Sequence, residues 1–335
     1  GPTTPPTLGV RLTQLISDPD LSTQFTAAAA SILQLCTTLL AFVVWFAAEI
    51  LFARMAVRPT IDGRRSVAEG PARAVSLALA GIAAVAVMLG FAGLLISSAS
   101  GPWRFPEALP QTLTTVHWQR AWISGSDVLA TTTLIGLCAM AVSIVLVIAV
   151  LEAGERARSP ASRLLAVVLY APMLVPQASF MFGLKSLFLQ VGLGPTFSAV
   201  LLAHIVFVVP YVYLALAAPW SAWNWRFGVA AAGLGASPRT VLWKVRLPML
   251  LSPILTAGAL GFAVSIGQYL PTLIIGSGRF ETITTEAVAL AAGGNRQIIG
   301  VYAVMQSLLP LAAFSLAIIL PRILFRNRRG LRGWR

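Results

Sequence analysis

Apolar residues in this sequence are gathered into long stretches that short polar segments separate. A membrane-spanning helix needs roughly 20 apolar residues, and it tolerates glycine and proline better than a helix in water does. Seven stretches meet this length, near Ala27–Leu51, Ala74–Ile96, Val128–Leu151, Leu164–Phe188, Phe197–Ala218, Leu247–Tyr269 and Gly300–Leu324. The pattern therefore predicts an all-α, polytopic membrane protein with about seven transmembrane helices.

The composition strengthens this prediction. Of the 335 residues, 57% are hydrophobic and only 10% are charged. A soluble domain carries about 25% charged residues. This chain has too few charges to cover a surface that faces water, so the composition excludes a soluble fold.

The net charge of +13 is distributed unevenly between the predicted loops. If residues 221–246 are cytoplasmic, the seven helices assign 18 of the 24 Lys and Arg residues to the inside and six to the outside. Such an excess is the positive-inside rule of membrane proteins. We therefore expect the N-terminus of this chain outside, its C-terminus inside, and no role for the basic charge in binding nucleic acid.

A weak internal repeat bears on how the chain is divided. A shift of 276 residues aligns Ala27 with Ala303 and Ser31 with Ser307. This match suggests that the first helix is the last helix of an earlier half. The opening residues Gly1-Pro2 represent either a protease scar or an internal cut. We expect an extracytoplasmic loop and that helix in residues 1–53, a cytoplasmic linker in 54–73, a complete six-helix domain in 74–325 and a basic tail in 326–335.

The loop before the sixth predicted span carries the most specific signal. Residues Ala230–Leu234 favour a short helix, and Gly235 is suited to end it because glycine accepts a positive φ. Ser237 suits an N-cap, and Pro238 suits the first position of a second helix, where a missing N–H costs nothing. Pro248 marks where the chain turns into the next span. We predict two short helices joined by a tight turn.

This loop resembles the cytoplasmic loop of ABC importer permeases, written E-A-A-x-x-x-G-A-S with L-P twelve residues after the glycine. The matching residues are Ala230, Ala231, Gly235, Ala236, Ser237, Leu247 and Pro248. In that family the loop is the coupling helix, which docks in a groove of the ATPase subunit and transmits its closure. Val229 stands at the glutamate position, so the resemblance carries over no salt bridge from there.

The resemblance extends over most of the chain. Residues Pro172–Gln177 and Ala203–Tyr211 look like core spans of fused, two-half permeases that serve importers for ferric iron, thiamine, polyamines and sulfate. The segments Gly1–Leu8 and Leu270–Gly278 are most similar to a thiamine-type branch. The resemblance implies the type I ABC importer permease fold, and a small solute such as thiamine or a related cation as cargo.

The resemblance also implies the partners. These are a dimer of ATP-binding cassette ATPase subunits, a periplasmic substrate-binding protein, the missing first half of the permease and the lipid bilayer of the bacterial inner membrane. Gly183–Ser186 superficially echoes a phosphate-binding loop but lacks its Gly-Lys pair. We therefore expect no catalytic residue, no metal site and no cofactor in this chain, with ATP and magnesium bound by the ATPase.

Six polar residues in or beside the predicted spans are candidates for the translocation pathway: Gln177, Ser179, Tyr211, Ser265, Gln268 and Tyr269. Gln177 follows Pro176, which frees a backbone carbonyl, so its amide could meet a substrate. The alternative for these residues is a hydrogen bond that holds two helices together. For His204 we expect a hydrogen-bonded core histidine rather than a metal ligand.

Two other classes of function remain open. An ATP-independent secondary carrier or channel would need charges within the membrane or a selectivity filter. Of the eleven acidic residues, only Glu49 falls inside a predicted span, within reach of Arg54. An intramembrane enzyme would need paired acids or a nucleophile with its base, and the sequence offers neither pattern.

Overall fold

The computed structural model describes residues 6–18, 20, 22–61, 69–103, 107–157, 161–292 and 295–326. The regular structure of these residues is helical, apart from an isolated β-bridge between Ser100 and Leu113. The helices are α1 (Leu8–Ser17), α2 (Thr23–Ile61), α3 (Glu69–Ser98), α4 (Val116–Ala157), α5 (Ala161–Leu174), α6 (Gln177–Gln190), α7 (Phe197–Ser221), α8 (Arg226–Gly233), α9 (Pro238–Val241), a π-helical turn (Leu242–Arg246), α10 (Leu247–Met249), α11 (Leu251–Ile266), α12 (Leu270–Gly276), α13 (Ile283–Ala292) and α14 (Arg296–Leu324). The predicted all-α class is confirmed.

Parts of the predicted domain division lie outside the described residues. The linker 54–73 is described only at 54–61 and 69–73, and the basic tail 326–335 only at Arg326. The division into an earlier half and a six-helix domain therefore stays a prediction.

Among the described residues, five helices are long and apolar enough to cross a membrane. They are Thr23–Met55, Arg73–Ser98, Val116–Glu155, Phe197–Ser221 and Arg296–Leu324. A sixth span results if Pro238–Met249 and Leu251–Ile266, which are bent by 73° relative to each other, are counted together. These helices correspond to six of the seven predicted stretches.

The remaining stretch, Leu164–Phe188, is the fourth along the chain and is divided between α5 and α6. Each of these helices has 14 residues, and the break lies at Val175 and Pro176. Proline lacks an N–H and disfavours a helical conformation in the residue before it. The apolar length was predicted correctly, but it forms two short helices instead of one continuous span.

A helix occupies part of the N-terminal segment that the sequence analysis treated as a loop. Helix α1 buries Leu12 and Ile16 in a cluster that also contains Ala178 and Met181 of α6. Lys185 donates from Nζ to the main-chain carbonyl of Ile16 at 3.3 Å. Leucine and isoleucine four residues apart place one apolar stripe on this helix, and that stripe packs against α6.

Helices α4, α7 and α11 pack closely against one another and form the centre of the fold. Glycine allows this approach at two places. A Cβ on Gly136 of α4 would lie 2.7 Å from the Phe262 ring of α11, and a Cβ on Gly261 would lie 2.7 Å from Val212 of α7. Small residues bring membrane helices together in this way. The bundle supports the loop described next, because that loop begins after α7 and ends at α11.

Helices α2 and α3 expose long apolar surfaces. Large side chains such as Trp45 and Phe46 on α2, and Val87 and Met88 on α3, are exposed. A surface of this composition suits contact with lipid acyl chains rather than with water.

Candidate functional site

Residues 222–250, which join α7 to α11, are called the coupling loop below. Its first helix, α8, ends in a Schellman motif. Gly235 has a φ of 82°, its N–H donates to the carbonyl of Ala232 at 2.9 Å, and the N–H of Ala236 donates to that of Ala231 at 3.0 Å. These two bonds satisfy carbonyls that the end of a helix leaves unpaired. The predicted helix stop at Gly235 is confirmed.

The second helix of the coupling loop begins as its sequence predicts. Ser237 is the N-cap of α9, and its Oγ accepts the N–H of Thr240 at 3.3 Å. Pro238 occupies the first helical position. The predicted pair of short helices joined by a tight turn is therefore present.

A π-helical turn closes the coupling loop. The N–H of Leu247 donates to the carbonyl of Leu242, five residues earlier. The chain then bends by 73° between the helix that ends at Met249 and α11. Pro248 thus stands within two residues of the bend, where the sequence predicted the turn into the next span. A π-helical turn inserts one extra residue into a helix, and such turns are frequent at functional sites.

The coupling loop exposes several large apolar side chains, together with some cations. Leu234 is 90% exposed, Trp243 is 69% exposed and Val229 is 55% exposed. Ala230 beside them is also exposed, whereas Ala231 is partly covered. Exposed apolar side chains grouped on one loop mark a surface that binds another protein or a membrane.

Arg246, near the end of the coupling loop, is only 6% exposed and binds the loop to the helix bundle. Its guanidinium donates to Glu152 at 3.1 Å, to Glu155 at 2.7 Å and to the main-chain carbonyl of Trp220 at 3.0 Å. The same group lies 4.0 Å from the ring centroid of Trp220 and 4.8 Å from that of Trp223. We call these five residues the Arg246 clamp. It joins the coupling loop to the ends of α4 and α7.

A cavity of about 310 Å³ lies beneath the coupling loop. It is lined by Gly228, Ala232, Ala236 and Val241 from the loop and by Glu152 and Arg246 from the clamp. Open space thus adjoins both the middle of the loop and the clamp.

A second group of polar residues is buried between α7, α11 and α12. His204 pairs through Nδ1 with Ser265 Oγ at 2.8 Å and through Nε2 with Thr272 Oγ1 at 2.9 Å. Gln268 donates from Nε2 to the main-chain carbonyl of His204 at 3.2 Å. We call these four residues the His204 network. The expectation of a hydrogen-bonded core histidine is confirmed.

The structure brings together only some of the six pathway candidates. Ser265 and Gln268 belong to the His204 network, whereas Ser179 donates to Gln34 of α2 at 3.0 Å. Gln177 is the first residue of α6 and does not lie in the middle of a helix. Tyr211 and Tyr269 are partly buried. Ser179, Ser265 and Gln268 therefore hold elements together, and a role in transport stays a prediction for all six.

The Arg246 clamp was not predicted from the sequence. Two signals were available. Glu152 and Glu155 stand three residues apart at the end of an apolar stretch, so they share one helix face. Arg246 directly precedes the Leu247-Pro248 pair. Neither signal tells which residues meet, because the partners lie 91 and 94 positions apart.

No family model matches the chain. It is 31% identical to the inner membrane ABC transporter permease protein YnjC of Escherichia coli (strain K12), over 99% of this chain and 59% of that protein. It is 28% identical to the spermidine/putrescine transport system permease protein PotC of Haemophilus influenzae, over 50% of this chain and 63% of that protein.

A shorter match covers the molybdenum transport system permease protein ModB of Mycobacterium tuberculosis, at 37% identity over 26% of this chain and 34% of that protein. The chain thus spans about three fifths of YnjC and PotC. The relatives in these comparisons are permease proteins, and the name of YnjC places it in an ABC transporter of the inner membrane.

Proposed function

We propose that this chain, a homologue of the inner-membrane permeases of ABC importers, moves a small solute across the membrane in a machine driven by ATP. The chain supplies the pathway through the membrane and contacts the ATPase subunits. Catalysis belongs to a partner: ATP and magnesium are bound and ATP is hydrolysed in a dimer of ATP-binding cassette subunits.

The observation that carries the proposal is the shape of the coupling loop. Two short helices stand at one end of the bundle, joined at Gly235, and they hold Leu234 outward at 90% exposure. Leu234 stands with Val229 and Trp243 in a group of exposed apolar side chains on one loop, and such a group suits a surface that binds another protein. A groove in the ATPase would bury Leu234, Val229 and the exposed alanine Ala230.

The mechanism follows from two states of the membrane helices. A periplasmic binding protein delivers the solute on the outside, ATP closes the two ATPase subunits on the inside, and the coupling loop carries this closure to the helices. A ligand shifts such an equilibrium only through different affinities for the two states. The solute must therefore bind more weakly in the state that opens inward.

The proposal fixes the orientation. The coupling loop faces the cytoplasm with the C-terminus, and the N-terminus of this chain lies outside, in agreement with the excess of Lys and Arg on the loop side. The membrane helices of residues 74–325 form one half of the pathway. The other half precedes them in the full-length protein, and helix α2 is its last helix.

The substrate is proposed only as a class. The names of the relatives mention spermidine and putrescine, molybdenum and 2-aminoethylphosphonate. A small solute bound by a periplasmic protein fits all of them. Thiamine or a related cation stays one prediction within this class, to be checked by isothermal titration of the purified binding protein with thiamine, ferric iron and spermidine.

A pull-down of the full-length permease from native membranes tests the proposal. Wild type is compared with Leu234→Glu, which places a charge on the proposed docking surface without touching the core. Leu109→Glu is the matched control, because Leu109 is also exposed but lies in the segment between α3 and α4, away from the coupling loop. We expect mass spectrometry to find an ATPase subunit with wild type and the control, and at least tenfold less of it with Leu234→Glu.

Either of two results would contradict the proposal. If no ATPase accompanies wild type, the protein works without ATP, and the hypothesis of a secondary carrier or channel takes its place. If both substitutions retain the ATPase equally, the docking surface lies elsewhere on the molecule.

A further inference from the structure

We propose that Arg246 transmits the movement of the coupling loop to helices α4 and α7. This inference rests on the proposed function, because it concerns the step that follows docking of the ATPase. It assigns to one residue the mechanical link between the part of the chain that meets the motor and the part that crosses the membrane.

The first argument is the number of elements that Arg246 joins. Its own backbone belongs to the π-helical turn of the coupling loop, its guanidinium contacts Glu152 and Glu155 on α4, and it also contacts the carbonyl of Trp220 on α7. Helices α4 and α7 both end within two residues of the groups that Arg246 contacts, Glu155 and Trp220. A displacement of the turn therefore acts directly on both helices.

The second argument is the strength of the link. Charge-assisted hydrogen bonds are stronger than neutral ones, and a planar guanidinium that donates in two directions also fixes the orientation of its partners. Trp220 and Trp223 lie against the guanidinium and exclude water. Breaking the clamp would leave a buried charge without partners, so the clamp stays closed while the loop moves.

The third argument is the open space beside the link. A cavity of about 310 Å³ adjoins both the coupling loop and the Arg246 clamp. The short side chains of Gly228, Ala232 and Ala236 line this space. Without the clamp, the loop could move into the cavity and leave α4 behind.

The fourth argument is local. In the π-helical turn the bond from Leu247 reaches back five residues to Leu242, which inserts one residue and rotates the side chains that follow relative to an α-helix. Arg246 occupies the last position of this turn and is buried, whereas Lys244, two residues earlier, is exposed. The π-helical turn thus coincides with the burial of Arg246, whereas Lys244 in the same turn is exposed.

The experiment measures a distance between two spin labels in the full-length permease bound to its ATPase. All native cysteines of the full-length permease, Cys36 and Cys138 among them, are replaced by alanine. One label is placed at Arg239→Cys on the coupling loop and the other at Val145→Cys on the exposed face of α4. The distance is recorded without nucleotide and after trapping with Mg-ATP and vanadate.

The test variant combines Arg246→Met with Glu152→Gln and Glu155→Gln. It keeps the volume of the clamp but removes its charges, so it avoids the buried unpaired charge that would unfold the end of the bundle. Lys244→Ala is the matched control, because it removes a cation from the same turn without touching the clamp.

In wild type and in Lys244→Ala we expect the label distance to stay constant on trapping, since loop and helix move as one unit. In the triple variant we expect it to change by about 2 Å or more, the size of helix shifts in switching proteins, while the ATPase still co-purifies.

Three results would overturn the inference: a constant distance in the triple variant, a changing distance in wild type, or loss of the ATPase from the triple variant alone. The last result would make the clamp a requirement for docking. Absence of the ATPase from wild type would instead overturn the proposed function, and the inference with it, before any label is introduced.

Discussion

The coupling loop and the His204 network are built in opposite ways. The turns of the coupling loop depend on hydrogen bonds between residues at most five positions apart, and several of its apolar side chains are exposed. The His204 network joins residues 61 and 68 positions apart, and its polar side chains face inward. In one region apolar groups are exposed, and in the other polar groups are buried.

Because of this difference, the shape of the coupling loop and the stability of the helix bundle depend on different hydrogen bonds. Local bonds set the two turns of the coupling loop at Gly235 and Ser237. Long-range bonds join helices, so losing them lowers the free energy of unfolding of the whole bundle. The Arg246 clamp combines both properties, because it lies in the loop but bonds to α4 and α7. Substitutions in the three places should therefore differ in what they change.

The largest effect is expected at the clamp. Replacing both Glu152 and Glu155 by alanine leaves the guanidinium of Arg246 buried without a carboxylate, which costs about 3–5 kcal/mol of stability. Arg246→Met should cost less, because the Glu155 side chain is 46% exposed and the Glu152 side chain 18% exposed, so water reaches both carboxylates more readily than the guanidinium, which is 7% exposed. Thermal melting in detergent, followed by tryptophan fluorescence, checks this order. Equal losses would show that the carboxylates are not what compensates the arginine.

The second effect is expected in the His204 network. His204→Ala removes a partner from the hydroxyls of Ser265 and Thr272, and an unsatisfied buried group costs about 1–3 kcal/mol. Ser143→Ala is the contrast, because the Ser143 hydroxyl is buried and has no partner among the described residues. The first variant should melt at a lower temperature, and the second at the wild-type temperature or above. A melting temperature unchanged by His204→Ala would contradict a stabilising role for the network.

A smaller and purely local effect is expected at Gly235. Its φ of 82° lies in the left-handed region, and a Cβ there would meet no atom within 4 Å. Backbone strain alone then decides, about 1–2 kcal/mol for alanine and less for asparagine, which tolerates this conformation. Retention of the ATPase in the pull-down should fall in the order wild type, Gly235→Asn, Gly235→Ala. The melting temperature of the bundle should not follow this order, and if it did, the loop would not be independent of the helices.

The same contrast explains what could be predicted from the sequence. The stop at Gly235 and the N-cap at Ser237 were predicted correctly, because each depends on the residue type and on neighbours a few positions away. The apolar stretches likewise predicted the helical class and six of the spans. Such signals are contained in a short window of sequence.

Long-range features could not be predicted in the same way. Nothing near Arg246 in the sequence indicates that it bonds to Glu155, and nothing near Ser179 points to Gln34. The break at Pro176 could be predicted only in part. The proline was visible in the sequence, but a proline inside a membrane helix can also produce only a kink. The apolar stripe of α1 was visible too, but it stands in a segment that was assigned to a loop.

The smallest effect is expected at Ser237, and it sharpens the contrast most. Ser237→Ala removes the acceptor for the Thr240 N–H at the start of α9, and loss of such a cap costs about 1 kcal/mol. Since α9 has only four residues, this cost should loosen the turn without changing how α4, α7 and α11 pack. Hydrogen exchange measured by mass spectrometry should therefore speed up in residues 234–241 and stay unchanged at the Arg246 clamp. If exchange at the clamp also accelerates, the cap and the clamp form one cooperative unit, and the coupling loop is then rigid from its docking surface to the helices even without the ATPase.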